Sequence, residues 1–203
     1  MIRDILGKFK DLNVLVVGDI MLDSYIYGDV KRISPEAPVP ILNKTEQVYR
    51  LGGASNVALN VKRLGCNVTL LSSTGDKLST FEELLNDEGI KHKLIEVDSI
   101  STVKTRLISG NTHILRIDSE DTSFNGGIEQ VMKAYKEIVE DVDIVIFSDY
   151  NKGFFNKELI NLMIGASFDK YLSIDPKIDN FLDYSLFNLV KPNLSELEAV
   201  LAG

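Results

Sequence analysis

The chain has 203 residues, of which 44% are hydrophobic and 26% charged, and its formal net charge is -8. This is the profile of a globular protein large enough for one sizeable core, and an acidic balance without a lysine or arginine run excludes a broad nucleic-acid surface. A single cysteine, Cys66, excludes an internal disulfide and fits a reducing compartment, while the absence of any apolar run of membrane-spanning length and the charges within MIRDILGKFKDL leave the cytoplasm as the expected location.

In chain order, a short amphipathic helix is predicted to about Lys10, followed by a valine-rich strand over Asn13–Val17 that is closed by Gly18. A continuous apolar run of that length suits a strand buried on both faces of a parallel sheet. Ligands of such sheets bind beyond the carboxyl ends of the strands, which makes Asp19 and Asp23 candidates for ligand contact. Asp19 fits a turn cap equally well. From Asp23 to Val48 the chain is rich in tyrosine, isoleucine and valine, with three prolines in RISPEAPVP, so strands with an exposed edge are expected to project as a flap. Apolar flap residues such as Tyr25, Tyr27 and Ile41 then need a cover, either a ligand or the same patch of a second chain.

Gly52 and Gly53 open directly into a helix whose stripe is Val57, Ala58, Val61 and Leu64, and Asn56 lies in its first turn. Glycines without a Cβ, free helix N–H groups and an amide together could grip hydroxyls or an anion; a simple glycine turn with a cap is the other reading. Further on, NVTLLSSTGD reads as a buried strand, Ser79–Glu88 as a helix stopped by Gly89, and Lys91–Val97 and Thr102–Asp118 as alternating strands with a hairpin turn at Gly110-Asn111. A helix over Gly127–Glu140, the strand VDIVIFSDY, a helix over Lys157–Phe168, the strand KYLSIDPK and a last helical stretch complete an alternating α/β pattern.

The predicted strand ends deliver Gly18-Asp19, Gly75-Asp76, Ser148-Asp149, Asp175-Pro176-Lys177 and Lys191-Pro192-Asn193 to one sheet edge, which suits a ligand with hydroxyls and phosphates. Lys104 and Arg106 share one strand face and either meet an anion or form a solvated basic face. His92 and His113 are isolated, and neither a Walker A loop nor a GxGxxG follows the first strand.

VLVVGDIMLD, RISPEAPVP, GGASNVALNVKRLG, KTR, SDYNKG, DPK and KPNLSE span nearly the whole chain and together resemble the ribokinase-like (PfkB) carbohydrate kinase family, in its heptose 7-phosphate kinase branch. In that branch the residue after Tyr150 is usually glycine; here it is Asn151, which also tolerates positive φ. The resemblance implies a three-layer α/β/α fold with a mostly parallel central sheet and a projecting β-sheet lid. Residues 1–203 would be the N-terminal part of the kinase domain, truncated at its C-terminal side, with lid strands at about 22–48 and 91–118.

It further implies sugar contacts from Asp19, Asp23, Gly52, Gly53, Asn56 and Asp149, and cations for the substrate phosphate from Lys104, Arg106 and Lys152. The nucleotide phosphates would lie near Lys177 and the NxxE motif Asn193, Leu194, Ser195 and Glu196, with Glu196 toward Mg²⁺; the same four residues also fit a helix capping box. The implied reaction is transfer of the ATP γ-phosphoryl to the anomeric hydroxyl of D-glycero-D-manno-heptose 7-phosphate, in a homodimer paired through the lid, with no nucleic acid or membrane partner. The family's glycine-alanine-glycine-aspartate motif, which supplies anion hole and base, is expected C-terminal to Gly203, so these residues alone are expected to be inactive. Another sugar or nucleoside kinase of the family and a non-catalytic sugar-phosphate-binding module remain the alternatives.

Overall fold

The computed structural model describes residues 2–123 and 127–202. A short helix α1 (Ile2–Gly7) and a 3-10 turn (Phe9–Asp11) lead into β1 (Asn13–Gly18). Two long strands, β2 (Ile20–Ile33) and β3 (Pro40–Gly53), precede α2 (Ala54–Arg63), β4 (Asn67–Thr74), α3 (Leu78–Asp87) and β5 (Lys91–Glu96). The hairpin of β6 (Val103–Ser109) and β7 (Thr112–Ser119) is followed by α4 (Ile128–Val139), β8 (Ile144–Ser148) and α5 (Lys157–Gly165). The chain then forms β9 (Tyr171–Asp175), a 3-10 segment (Ile178–Asp183), the two-residue β10 (Leu189–Val190) and α6 (Leu194–Ala202).

Six strands form a parallel sheet in the order β10-β9-β8-β1-β4-β5. Side-chain alternation divides its core in two. Leu15, Val17, Val145 and Phe147 pack against Val131, Tyr135, Leu159 and Ile160 of α4 and α5. Val14, Val16, Val68 and Leu70 pack against Ala54, Ala58, Phe81 and Leu85 of α2 and α3. The expected α/β/α layering is therefore present. On α2, Ala58 is buried, Val57 and Val61 pack partly against the core, and Leu64 at its C-terminal end is exposed.

The second sheet, in the order β3-β2-β6-β7, is the expected lid. Its β2 pairs antiparallel with β3 and parallel with β6, and β6 pairs antiparallel with β7. The expected lid boundary at 91–118 needs correction. Lys91–Glu96 joins the edge of the main sheet in parallel with β4, and only the β6–β7 hairpin belongs to the lid. A strand's alternation does not reveal its partner, and this pairing is made across α3.

Tyr25 and Tyr27, expected in an apolar patch covered by a ligand or a second chain, lie on a charged face of this sheet. Period-two alternation places Tyr25 and Tyr27 with Asp23, and the register adds Arg50, Lys104 and Arg106 to that face. The opposite face carries Ile26, Leu107, Leu115 and Ile117, the last two half exposed.

Candidate functional site

Asp19 follows β1 directly and is buried. Its two carboxylate oxygens accept the backbone N–H groups of Tyr150 at 2.7 Å and Phe154 at 3.0 Å. It thus ties the first strand to the loop after β8, 131 residues away in sequence. Asp149, also buried, accepts from Asn151 N at 2.8 Å, Asn180 Nδ2 at 3.0 Å and the Tyr184 hydroxyl at 2.8 Å. In this geometry both aspartates hold the loop, and the sugar contacts expected of them would use remaining lone pairs of oxygens that already accept a hydrogen bond. Asn151 takes φ 54, the positive value its side chain tolerates.

Burial pushes the Asp19 carboxyl up to about 6, aided by the charge of Asp149 and opposed by the backbone N–H groups of Phe154, Tyr150 and Lys152. A carboxyl that holds its proton more tightly when folded stabilises the fold at low pH. That contribution is complete below the ordinary value of 3.8 and is lost as pH rises through about 6, a difference worth about 3 kcal/mol. Asp19→Asn is expected to flatten this part of the stability profile relative to the wild type. Denaturant unfolding at pH 4 and pH 7 would check it, and an unchanged wild-type-minus-variant difference between the two would contradict the assignment.

The charged face of the lid is built around Asp23. Asp23 accepts a hydrogen bond from Arg106, and its other oxygen lies over Gly52, 2.8 Å from where a Cβ would stand. Arg50 on β3 and Lys104 on β6 both stand directly opposite Asp23. The guanidinium carbons of Arg50 and Arg106 lie 5.0 and 5.3 Å from the centre of the Tyr25 ring, which stacks on Tyr27. The bond to Asp23, despite some desolvation, holds the Arg106 guanidinium above its ordinary range. From the body, the Lys152 ammonium pairs with Glu120 at 2.8 Å, where β7 leaves the lid.

Beside the Asp19 loop is a polar cavity of about 30 Å³, lined among others by Asp19, Thr74, Ser101, Asp121 and Lys152, with room for about one water. Strand register separately brings Asp23, Gly52, Lys104 and Arg106 together. Lys152 approaches the same face but is engaged by Glu120. Asn56, in the first turn of α2, is exposed and opens on a cleft with Tyr49, Arg50 and Glu88.

At the other end of the sheet edge, Asn193–Glu196 forms the capping box. Glu196 N donates to Asn193 Oδ1 at 2.9 Å, Asn193 N donates to Glu196 Oε2 at 2.8 Å, and Ser195 Oγ donates to Asn193 Oδ1 at 2.7 Å. The other oxygen of Glu196 pairs with Lys177. Burial opposes the charge of Glu196, yet Lys177 and the Asn193 N–H hold its carboxyl below the usual range. Leu194 is exposed. Lys177 also lies 5.9 Å from the centre of the Tyr150 ring, and Lys191 pairs with Asp175 at 3.2 Å.

Mg²⁺ takes carboxylates and phosphate oxygens in octahedral geometry. Here both oxygens of Glu196 are engaged, and among the described residues no group of three or more His, Cys, Asp or Glu could hold a metal. The expected role of Glu196 toward Mg²⁺, an ion that needs only one or two carboxylates beside phosphate oxygens and water, would require Lys177 to release one of its oxygens.

Arg50 and Glu120 escaped the sequence reading, and Tyr25 was read only as an apolar flap residue. Arg50 was legible in principle, because it lies two residues before the glycine pair on a strand that must pair with Asp23. His92 is structural as expected, its Nδ1 2.9 Å from the Ile90 carbonyl. No helix among the described residues is long and apolar enough to cross a membrane.

The pfkB family carbohydrate kinase model matches residues 11–202. The chain is 39% identical over 198 residues to the bifunctional protein HldE of Campylobacter fetus, which covers 94% of this chain and 43% of that protein. It is 38% identical over 193 residues to the D-beta-D-heptose 7-phosphate kinase of Bordetella bronchiseptica, covering 92% of this chain and 61% of the relative. The chain thus spans less than two thirds of the length of either relative. Among solved structures it is similar to the tetrameric inhibited form of phosphofructokinase-2 from Escherichia coli, with a TM-score of 0.73 at 21% identity over 94% of this chain and 64% of that one. A carbohydrate kinase from Agrobacterium tumefaciens gives 0.68 at 16% identity, over 93% and 63%. At those identities the likeness is one of fold.

Proposed function

The chain belongs to the pfkB family of carbohydrate kinases, and from that premise we propose that its site binds D-glycero-D-manno-heptose 7-phosphate and belongs to an enzyme that phosphorylates the anomeric hydroxyl with ATP. The observation that carries this reading is Asp23. Its carboxylate, the acceptor suited to sugar hydroxyls, is flanked by cations suited to a phosphate and has Gly52 beside its second oxygen. The names of the relatives at 38 and 39% identity support the same substrate class. ATP would approach Lys177 and Asn193–Glu196 at the other end of the edge.

Asp23→Ala is expected to weaken heptose 7-phosphate binding by about 1–3 kcal/mol, the range for hydrogen bonds to a charged group, while the chain stays folded. Isothermal titration checks this, and unchanged affinity in a folded variant would remove Asp23 from the sugar site. We also propose pairing of two copies through the lid face of Ile26, Leu107, Leu115 and Ile117, since a closed two-fold contact hides such a surface. Leu115→Glu is then expected to sediment as a monomer; a wild-type chain that is itself monomeric at high concentration would refute the pairing.

A further inference from the structure

We infer that Arg50, held against the Tyr25 ring, anchors the phosphate monoester of the sugar substrate. This rests on the reading that the site takes a phosphorylated sugar. The charged face of the lid carries four cations, Arg50, Lys104, Arg106 and Arg116, placed together by the strand register. Two of them are neutralised within the sheet: Arg106 by Asp23, and Arg116 by Asp118 at 3.0 Å. Arg50 and Lys104 have no ion-pair partner among the described residues and stand on either side of Asp23. The remaining acids on this face lie further from the site: Glu46 is opposite Tyr27, and Asp29, beyond Tyr27 on β2, pairs with Lys31 at 3.3 Å.

A surplus of two positive charges at one spot runs against the chain's net charge of -8 and matches a phosphate dianion. Arg50 is the better placed of the two. Its guanidinium is fixed over an aromatic face, so less rotamer freedom is lost on binding, and a planar fork can meet two phosphate oxygens at once. Arg106, on the same ring, has one nitrogen committed to Asp23, and Lys152 is held by Glu120. An anion at Arg50 would also offset the repulsion between the two guanidiniums that share Tyr25.

The test is isothermal titration of wild type, Arg50→Gln and Tyr25→Leu with heptose 7-phosphate, fructose 6-phosphate and the two unphosphorylated sugars. Wild type is expected to prefer a phosphorylated sugar over its parent. Arg50→Gln is expected to lose about 10- to 100-fold of affinity for that sugar phosphate, with unchanged affinity for the parent sugar and an unchanged ligand-free melting temperature. Tyr25→Leu should lose part of the same preference, which gives a second reading should Arg50→Gln not fold. If fructose 6-phosphate rather than heptose 7-phosphate shows the Arg50-dependent preference, the inference stands and the heptose assignment falls. The inference is overturned if Arg50→Gln binds the sugar phosphate as wild type does, if it loses phosphorylated and parent sugar equally, or if wild type favours no sugar phosphate over its parent.

Discussion

Gly53→Ala is expected to cost the chain on the order of 4 kcal/mol or more, enough to unfold a domain of ordinary stability. Gly53 has φ 57 and ψ -137, a conformation open in practice to glycine alone. A Cβ there would stand 2.3 Å from the Asp19 carbonyl oxygen. That oxygen accepts the Ala54 N–H at 2.8 Å, so it cannot retreat without releasing the first turn of α2. The strain falls where β1 passes into the lid and β3 leaves it, since Gly53 pairs with Ile20, a residue of the buried core.

Gly52→Ala provides the contrast. Its new Cβ would meet the Asp23 carboxylate and Met21 Cγ, both at 2.8 Å, and the Met21 carbonyl oxygen at 3.1 Å; the carboxylate can swing away, the buried Met21 less readily. That variant, with no positive φ to strain it, should cost less stability than Gly53→Ala and should also lose sugar affinity, because the carboxylate that moves is the proposed hydroxyl acceptor. Urea unfolding of both variants checks the pair of outcomes. A Gly53→Ala chain within about 0.5 kcal/mol of wild type, the range of an ordinary surface substitution, would mean the turn relaxes in a way the geometry does not suggest.

The same region shows what the sequence could and could not reveal. Val14–Val17 is legible as a buried strand because a continuous apolar run needs no knowledge of its partners. The Asn193–Glu196 cap is legible because both of its hydrogen bonds join residues three apart. Asp19 was legible as a polar residue at a strand end, but its role is set by N–H groups of Tyr150 and Phe154 that only the fold brings near. Tyr25 and Tyr27 were counted as apolar surface in need of a cover. Alternation alone puts them on the face of Asp23, while the two guanidiniums that make this face polar come from β3 and β6, and those neighbours are a matter of topology. Register between distant strands was the missing information throughout, for Lys91–Glu96 as for Arg50.

A polypeptide of residues 1–203 is expected to bind the sugar phosphate yet transfer phosphoryl from ATP at less than about one thousandth of the rate of a relative such as the Bordetella kinase. Transfer to a hydroxyl needs a base, worth about 10²–10⁴, and N–H donors at the moving phosphoryl, each worth about 10²–10³. Among the described residues, the carboxylates at this edge are already committed. Asp19 and Asp149 cap the loop after β8, Glu196 is held by Lys177 and the Asn193 N–H, and Asp23 is held by Arg106. Asp23 and Asp175 are committed at one oxygen only: Asp23 is the proposed hydroxyl acceptor, and Asp175, its side chain 44% exposed, pairs with Lys191 at 3.2 Å. A coupled ADP-release assay with heptose 7-phosphate, ATP and Mg²⁺, run on both proteins, checks the expectation. Comparable rates would refute it and single out Asp175 as the base, in which case Asp175→Asn should abolish turnover while leaving sugar-phosphate affinity intact.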